Sequence, residues 1–505
     1  MLDPALFSLS WRRCAFAAAV AITLIFTAGS PAQAQPFPGA GKVEQRLLRD
    51  TANGQRASAF IVLADQADLR PAYAMRDASA RGWFVYQTLR DLADRTQPAI
   101  LTLLGQRRAA YQRFWAANAI VAEVDQRLLM ELAGRPDVQA LEANVEQRWL
   151  GPIAPEPAPI RPGLLAGPEW GVQSVGAPQV WALGYYGQGI VIANADTGMQ
   201  WEHPALKGHY RGYGGIGGTT THDRSWHDSV HGASTGNPCG GDSMVPCDDN
   251  NHGTHTTGTV IGDDGLGNQI GVAPGARWIG CRNMDRGAGT PARYTECFEF
   301  FIAPTDLKGQ SPDPDLRPHV INNSWGCPTS EGCAPTALQL IVENTQAAGI
   351  FVEASAGNSG PGCGTVDSGP GSFAAAFSTG AHDATGKLVG FSSRGPVVID
   401  GSGRQKPEII APGSRVRSSL PGGRYGNLSG TSMAGPHVVG VVALLWSARP
   451  ELSRQIEATK QLLMASANPI VTLGSVELCG GIDSSFIPNN SFGAGKVDAL
   501  AAVTW

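Results

Sequence analysis

The chain has 505 residues and a formal net charge of −5, with 42% hydrophobic and 16% charged residues. That is a globular composition with apolar material for two or three domains. Its mild acidity excludes nucleic acid as a partner and argues against an anionic membrane surface.

The N-terminus carries Arg12-Arg13, an apolar stretch over 15–28 and then Ala32-Gln33-Ala34. A positive region, a short apolar core and a small-x-small site predict a signal peptide over 1–34. The apolar run is short for a membrane anchor, which needs about 20 residues; the arginine pair leaves a twin-arginine route open. The expected location is therefore outside the cytoplasm, in the periplasm or the medium. Cys14 falls in the signal, and the other eight cysteines lie between Cys239 and Cys479. An even number in an exported chain predicts disulfides. Cys239 with Cys247 and Cys327 with Cys333 are near enough to pair locally. Cys281, Cys297, Cys363 and Cys479 would form two more bridges in a pattern the spacing leaves open.

Residues 35–160 read as a first, cysteine-free unit. Strands are predicted over 59–63, 120–124 and 137–145, and helices over 83–104, 109–117 and 126–134, which together make a small α+β module. The run Gly151-Pro152-Ile153-Ala154-Pro155-Glu156-Pro157-Ala158-Pro159 is a stiff linker and marks a boundary.

Residues 161–505 form the larger unit. The apolar run 189–195 reads as a buried parallel strand that ends in Asp196, and sites form at that edge of α/β sheets. A polar, glycine-rich loop is predicted over 208–251. Its His222, His227 and His231, with Asp223 and Asp228, could approach a metal, but they form no dense ligand motif and no metal is assigned to them. His252 and His255 stand one turn apart on a helix of small residues, without the glutamate that a zincin needs. Strands over 276–280, 320–326 and 350–354 then alternate with helices over 294–302 and 336–348. That pattern predicts a mostly parallel sheet covered by helices on both faces. Last comes Gly430-Thr431-Ser432-Met433-Ala434-Gly435-Pro436-His437, followed by a run over 438–446 without a polar side chain (Trp446 apart from its ring N–H), which reads as a helix buried on all sides. Ser432 thus sits where free N–H groups and the positive end of a dipole point at a ligand. It is either a helix cap or a nucleophile facing a developing oxyanion. Asp196 and His252 favour the second reading, because a serine hydroxyl needs a base within reach and the base needs an orienting carboxylate.

The residues around these three carry a resemblance. Asp196-Thr197-Gly198, His252-Gly253-Thr254-His255 and Gly430 to His437 resemble, in order, the three signatures of subtilisin-like serine proteases. Ala356-Gly357-Asn358 resembles the family's oxyanion-hole segment. Gly271-Val272-Ala273-Pro274 and Phe391-Ser392-Ser393-Arg394-Gly395-Pro396 fit as well. The first unit resembles the family's propeptide, and together with Trp201-Glu202-His203-Pro204-Ala205-Leu206 it is most similar to the bacillopeptidase F branch. The resemblance implies a three-layer α/β fold with a mostly parallel sheet between helices, preceded by a small α+β propeptide. It implies a secreted serine endopeptidase that works through an acyl-enzyme and matures by autoprocessing.

The site residues follow from the same resemblance. Ser432 would be the nucleophile, His252 the base, and Asp196 the carboxylate that fixes the imidazole. Asn358 and the Ser432 N–H would hold the oxyanion. Ser324-Trp325-Gly326 and Ala354-Ser355-Ala356-Gly357 would line the primary pocket, with Trp325 narrowing a neighbouring subsite. Asp367 would lie near the pocket floor and favour Lys or Arg. No cofactor is required, although the loop from Asp263 and Asp264 to Asn268 has oxygen ligands where relatives hold calcium. The expected partners are protein or peptide substrates and the chain's own first unit, acting as foldase and inhibitor. Neither nucleic acid nor, after signal removal, a membrane is expected. A non-catalytic binding module on this fold is disfavoured because all four catalytic positions are filled; a maturation protease for one partner is the nearer alternative.

Overall fold

The computed structural model describes residues 39–150, 156–157, 167–328, 333 and 335–505. The signal-peptide expectation lies outside these residues, as does most of the proline-rich linker.

The first module is a four-stranded antiparallel sheet made of β1 (Arg56–Leu63), β2 (Tyr111–Phe114), β3 (Ala119–Asp125) and β4 (Val138–Ala143), in the order β2-β3-β1-β4. Helices α1 (Ala78–Thr96), α2 (Pro98–Gln106) and α3 (Gln126–Ala133) accompany it. Side chains start two of them: Asp77 accepts from the Ala80 N–H, and Asp125 from the Leu128 N–H. The helix expected over 109–117 is not formed. Arg108 leaves the helical region with φ 52°, and Tyr111–Phe114 turns around Asn118 to pair with β3. Phe114 stacks on Phe60 with ring centroids 5.4 Å apart. Cross-strand packing has overridden a composition that favours helix.

The larger part is built on a seven-stranded sheet: β5 (Val191–Asp196), β6 (Trp226–Asp228), β7 (Arg277–Arg282), β8 (Val320–Asn323), β9 (Phe351–Ser355), β10 (Phe377–His382) and β11 (Ile409–Pro412). The order is β11-β10-β9-β8-β5-β7-β6, and every neighbouring pair is parallel. The two-residue period of the strands sends alternate side chains to opposite faces. Ala193, Ala195, Ile279, Cys281 and Val352 meet α5 (Pro291–Ile302) and α6 (Pro335–Ala347) in one core. Ile192, Trp278, Phe351 and Phe377 meet α4 (His252–Ile261) and α7 (Thr431–Ala448) in the other. The expected three layers are present. The stretch 208–251 is not all loop: buried Trp226 carries β6 onto the sheet edge. Helix α7 is long and apolar enough to cross a membrane by composition, but it is a core helix, buried from Thr431 to Trp446. Both local disulfides form, and the other two are Cys281–Cys297 and Cys363–Cys479.

The first module lies on α5 and α6, with Phe60, Val62, Phe114 and Val121 in the same core as Phe298, Leu338 and Ile341. Its polar groups finish both helices. Asn144 Oδ1 accepts from the Ala292 N–H (2.9 Å), and Glu142 accepts from the Thr336 and Ala337 N–H groups (2.9 and 3.2 Å). Arg81 donates to the Ala347 and Gln346 carbonyls at the other end of α6 (2.7 and 3.0 Å). An anion at the start of a helix and a cation at its end both match the helix dipole. Glu299 of α5 accepts from the Ala116 N–H (2.7 Å), and burial at this interface pushes its carboxyl up to about 8.

A carboxyl raised on folding stabilises fully below its unfolded value, and that contribution is lost as pH rises through the folded value. The thermal midpoint of the full chain should therefore carry a falling component between about pH 5 and pH 8. Glu299→Gln should remove that component, and melting curves across this range for both chains check it.

Candidate active site

Three secondary-structure ends meet at the C-terminal edge of the sheet. Asp196 is the last residue of β5, His252 the first of α4, and Ser432 the second of α7. All three are buried. The His252 Nδ1–H lies 2.8 and 2.9 Å from the two Asp196 oxygens. A carboxylate only accepts, so the proton sits on Nδ1 and Nε2 is left as the base. The same carboxylate accepts from the Thr197 N–H (2.7 Å) and the Thr256 hydroxyl (3.1 Å).

The backbone reaches this arrangement through close contacts. A Cβ on Gly253 would collide with the Gly198 carbonyl and lie 3.1 Å from Asp196 Cβ, so only glycine lets α4 seat on the strand end. Asp248 locks the junction. It accepts from the Thr197 hydroxyl (2.9 Å) and from the Thr254 N–H and hydroxyl (2.9 and 2.6 Å). Burial raises its carboxyl above the usual range. Asp248 was absent from the expected site, although the run Asp248-Asp249-Asn250-Asn251 before the helix is the kind of composition that supplies caps.

Ser432 is tied to Ser324 in both directions. The Ser432 hydroxyl donates to the Ser324 carbonyl (3.1 Å), and the Ser324 hydroxyl donates to the Ser432 carbonyl (3.0 Å). The Ser432 hydroxyl's partner in this structure is thus Ser324, not His252. Asn358 follows β9 and is exposed. Its Oδ1 accepts from the Thr431 N–H (2.8 Å) and hydroxyl (2.9 Å). With the oxygen committed, the amide nitrogen is the group turned to a ligand. Gly357 donates its N–H to the Thr431 hydroxyl (3.3 Å), which holds the Ala354–Gly357 segment beside the helix start.

The expected pocket residues separate into two sets. Ser324, Gly326, Ala354, Ser355, Ala356 and Gly357 lie along the ends of β8 and β9. Trp325 instead turns into the core and stacks on Tyr294, with centroids 3.8 Å apart. The wall opposite Gly326 is Ser368, which no sequence pattern marks: a Cβ on Gly326 would lie 3.1 Å from Ser368 Cβ. Asp367 stands behind it, half-buried, and accepts from the Ser368 hydroxyl (3.0 Å).

The chain itself flanks this cleft. Gln147–Arg148 pairs antiparallel with Ala288–Gly289, and the Trp149 and Leu150 N–H groups donate to the Gly287 carbonyl (3.0 and 3.1 Å). The Trp149 ring lies 2.6 Å from a Cβ built on Gly326. Glu156–Pro157 pairs with Gly426 and Asn427 of the strand Arg424–Leu428, which ends just before Gly430 and Ser432.

The other histidines are not part of this site. The His255 Nε2–H donates to the Val416 and Gly426 carbonyls (3.0 and 3.2 Å), and burial lowers it to about 3. His222 pairs with Tyr210, while His227 and His231 bracket Glu296 at 2.6 and 2.9 Å. Among the described residues no group of three or more acidic, histidine or cysteine side chains is placed to hold a metal. In the 263–268 loop, Asp264 accepts from the Leu266 and Asn268 N–H groups, the Asn268 amide and the Tyr425 hydroxyl. Asn268 Oδ1 accepts from Arg417, which also pairs with Glu169 (2.9 Å). With donors on its oxygens and a guanidinium beside it, this loop as folded does not fit calcium, which needs six or more free oxygens.

Residues 187–495 match the family model described as "Subtilase family". Bacillopeptidase F of Bacillus subtilis (strain 168) is 35% identical over 474 residues, covering 90% of this chain and 31% of that protein. The chain thus spans about a third of that relative's length. Subtilisin E of the same organism is 29% identical over 347 residues, covering 67% of this chain and 73% of its own. The Major intracellular serine protease of that strain is 30% identical over 285 residues, covering 56% and 76%.

Gly253→Ala should push α4 away from β5 and break the His252–Asp196 hydrogen bond. The check is the low-field Nδ1–H resonance of His252, which should vanish from the proton spectrum, with a loss of about 1–3 kcal/mol in stability.

Proposed function

Because the chain belongs to the subtilase family, we propose that it is a secreted serine endopeptidase, made as a preproenzyme that cuts itself. The observation that carries this reading is the buried Asp196–His252 hydrogen bond beside Ser432 at the start of α7. A substrate strand pairs with Ala288–Gly289, as Gln147–Arg148 does. The Ser432 hydroxyl leaves the Ser324 carbonyl, passes its proton to His252 Nε2, and its oxygen bonds to the peptide carbon. Asp196 stays ionised and holds the imidazolium through Nδ1–H. The carbonyl oxygen, now negative, takes hydrogen bonds from the Ser432 N–H and the Asn358 amide. His252 then gives its proton to the departing amine, leaving an acyl-enzyme. Water attacks that ester, with His252 again taking and returning a proton.

The chain's own linker is the first substrate in this reading. The two short pairings on either side of Ser432 support a cut between Leu150 and Glu156. The capped and buried contact of the first module with α5 and α6 supports its role as folding template and inhibitor. Four disulfides support an oxidising compartment outside the cytoplasm, in line with a signal over 1–34. Substrates are proteins or peptides, and the proton transfers need only the chain's own side chains. The side chain before the cut lies at Gly326, where the Trp149 ring packs, and Asp367, one hydrogen bond behind Ser368, biases other substrates toward Lys or Arg, which the linker between Leu150 and Glu156 lacks.

Ser432→Ala should abolish fluorophosphonate labelling and leave the 505-residue chain uncut between residues 150 and 156; mass spectrometry of the product checks both. Asn358→Ala should lower kcat by about 10²–10³, the loss known for the corresponding donor of subtilisin. Labelling at another serine would discard the assignment.

Asp367→Ser should reduce cleavage after Arg far more than cleavage after Phe, measured as kcat/KM on matched peptides. An equal effect on both would remove Asp367 from the pocket.

A further inference from the structure

Beneath the three site residues runs a second set of polar side chains, all buried. Asn194 lies on β5 two residues before Asp196, and its amide nitrogen is 2.9 Å from the Thr256 hydroxyl and 2.8 Å from the Thr257 hydroxyl. The Thr257 hydroxyl donates to the Gly253 carbonyl (2.8 Å). The Thr256 oxygen takes a proton from Asn194, so its own proton is available to Asp196 Oδ2, 3.1 Å away. On the other side, Asn194 Oδ1 accepts from the Asn322 amide (2.9 Å), whose second hydrogen goes to the Ser324 hydroxyl oxygen (2.9 Å). That hydroxyl donates to the carbonyl of Ser432 (3.0 Å). Asn194, Thr256, Thr257, Asn322 and Ser324 are each 0% exposed.

Such groups have no water to turn to, and a buried polar atom that loses its partner is destabilising. Asn194 has both ends of its amide engaged and is therefore held in place, while Asn322 is fixed through its two N–H groups and its Oδ1 takes no partner among the described residues. Asn194 is the only member that touches both halves: Thr256 leads from it to Asp196, and Asn322 leads from it to Ser324 and the turn of the nucleophile. β5 and β8 are neighbours in the sheet with Asn194 opposite Asn322, so the bridge crosses the sheet at one rung.

We propose that Asn194 is the positioning residue of this site, fixing the Asp196–His252 pair relative to Ser432 through Thr256 on one side and through Asn322 and Ser324 on the other. Asn194 touches no substrate; it acts through the residues that do. The proposal rests on the serine-protease reading for its effect on turnover, but the placement of Asp196 and His252 can be read without turnover. Without Asn194, the Thr256 hydroxyl is no longer directed at Asp196. The carboxylate then loses a donor to its charged form and holds the imidazolium more tightly.

The test uses the full chain and two readouts: kinetics on a peptide anilide, and titration of His252 followed by its low-field Nδ1–H resonance. Asn194→Leu should lower kcat about tenfold with KM within about twofold, because a small misplacement is felt in the transition state rather than in binding. It should raise the His252 titration by about half a pH unit. Thr256→Val should do the same if Asn194→Leu fails to fold, and Thr256→Ser, which keeps the hydroxyl, should recover most of the loss. A His252 titration unmoved in both Asn194→Leu and Thr256→Val would overturn the proposal, whatever happens to the melting temperature. Failure of the protease reading would look different: the unsubstituted chain would neither hydrolyse the anilide nor take a fluorophosphonate label, while the titration would still decide the role of Asn194.

Discussion

Helix α7 has no solvent face over its first sixteen residues, Thr431 to Trp446, so its first turn cannot leave its N–H groups to water. That constraint organises the site. Buried helix starts need acceptors from elsewhere in the fold or from a ligand. The Thr431 N–H takes the oxygen of Asn358, which brings the end of β9 to the helix. The Ser432 carbonyl and hydroxyl take Ser324, which brings the end of β8. The N–H of Ser432 is the one that the proposed reaction leaves for substrate. Satisfying one apolar helix's polar end thus collects Ser432, the Asn358 amide and the ends of β8 and β9 at one place.

The parts legible from sequence are those in which chemistry and local pattern coincide. Asp196, His252 and Ser432 sit in runs of small residues because their backbones approach closely, and the collision a Cβ on Gly253 would make with Gly198 shows why. Four of the seven parallel strands, β5, β7, β8 and β9, were readable as short apolar runs. What escaped was set by pairing across the chain. Tyr111–Phe114 has helix-compatible composition and becomes a strand only because β3 and Phe60 await it. Trp325, expected beside a subsite, lies in the core because Tyr294 stands opposite it. Ser368 and Asn194 are ordinary residues in sequence, and their positions come from register with Gly326 and Asn322.

The first module and the catalytic sheet share more than surface. Glu142 at the start of α6 and Arg81 at its end supply hydrogen-bond partners that the helix's own sequence lacks there, and the Asn144 amide oxygen does the same for the start of α5. Both helices pack on the face of the sheet away from α7. A parallel sheet closes its contacts over long stretches of chain, so in the proposed template role a block that completes two helices at once would supply part of the order needed before strands pair. That interface also buries titratable carboxyls, with Glu299, Glu296 and Glu142 all at it. Such contacts are sensitive to the medium once the covalent link is gone.

The bridge between Cys363 and Cys479 spans 116 residues, and Ser432 lies inside the loop it closes. The exposed stretch 398–403 lies within that same loop. This changes what a single nick there can do. A cut in that stretch opens the chain but releases no fragment, because the pieces remain joined through sulfur. The serine stays tethered to Asn358 and to the sheet edge that holds Asp196, so the damage is local and the assembly keeps its members. Resistance to a nick in that stretch is then a property of connectivity: a second cut inside the loop is needed before any piece is lost.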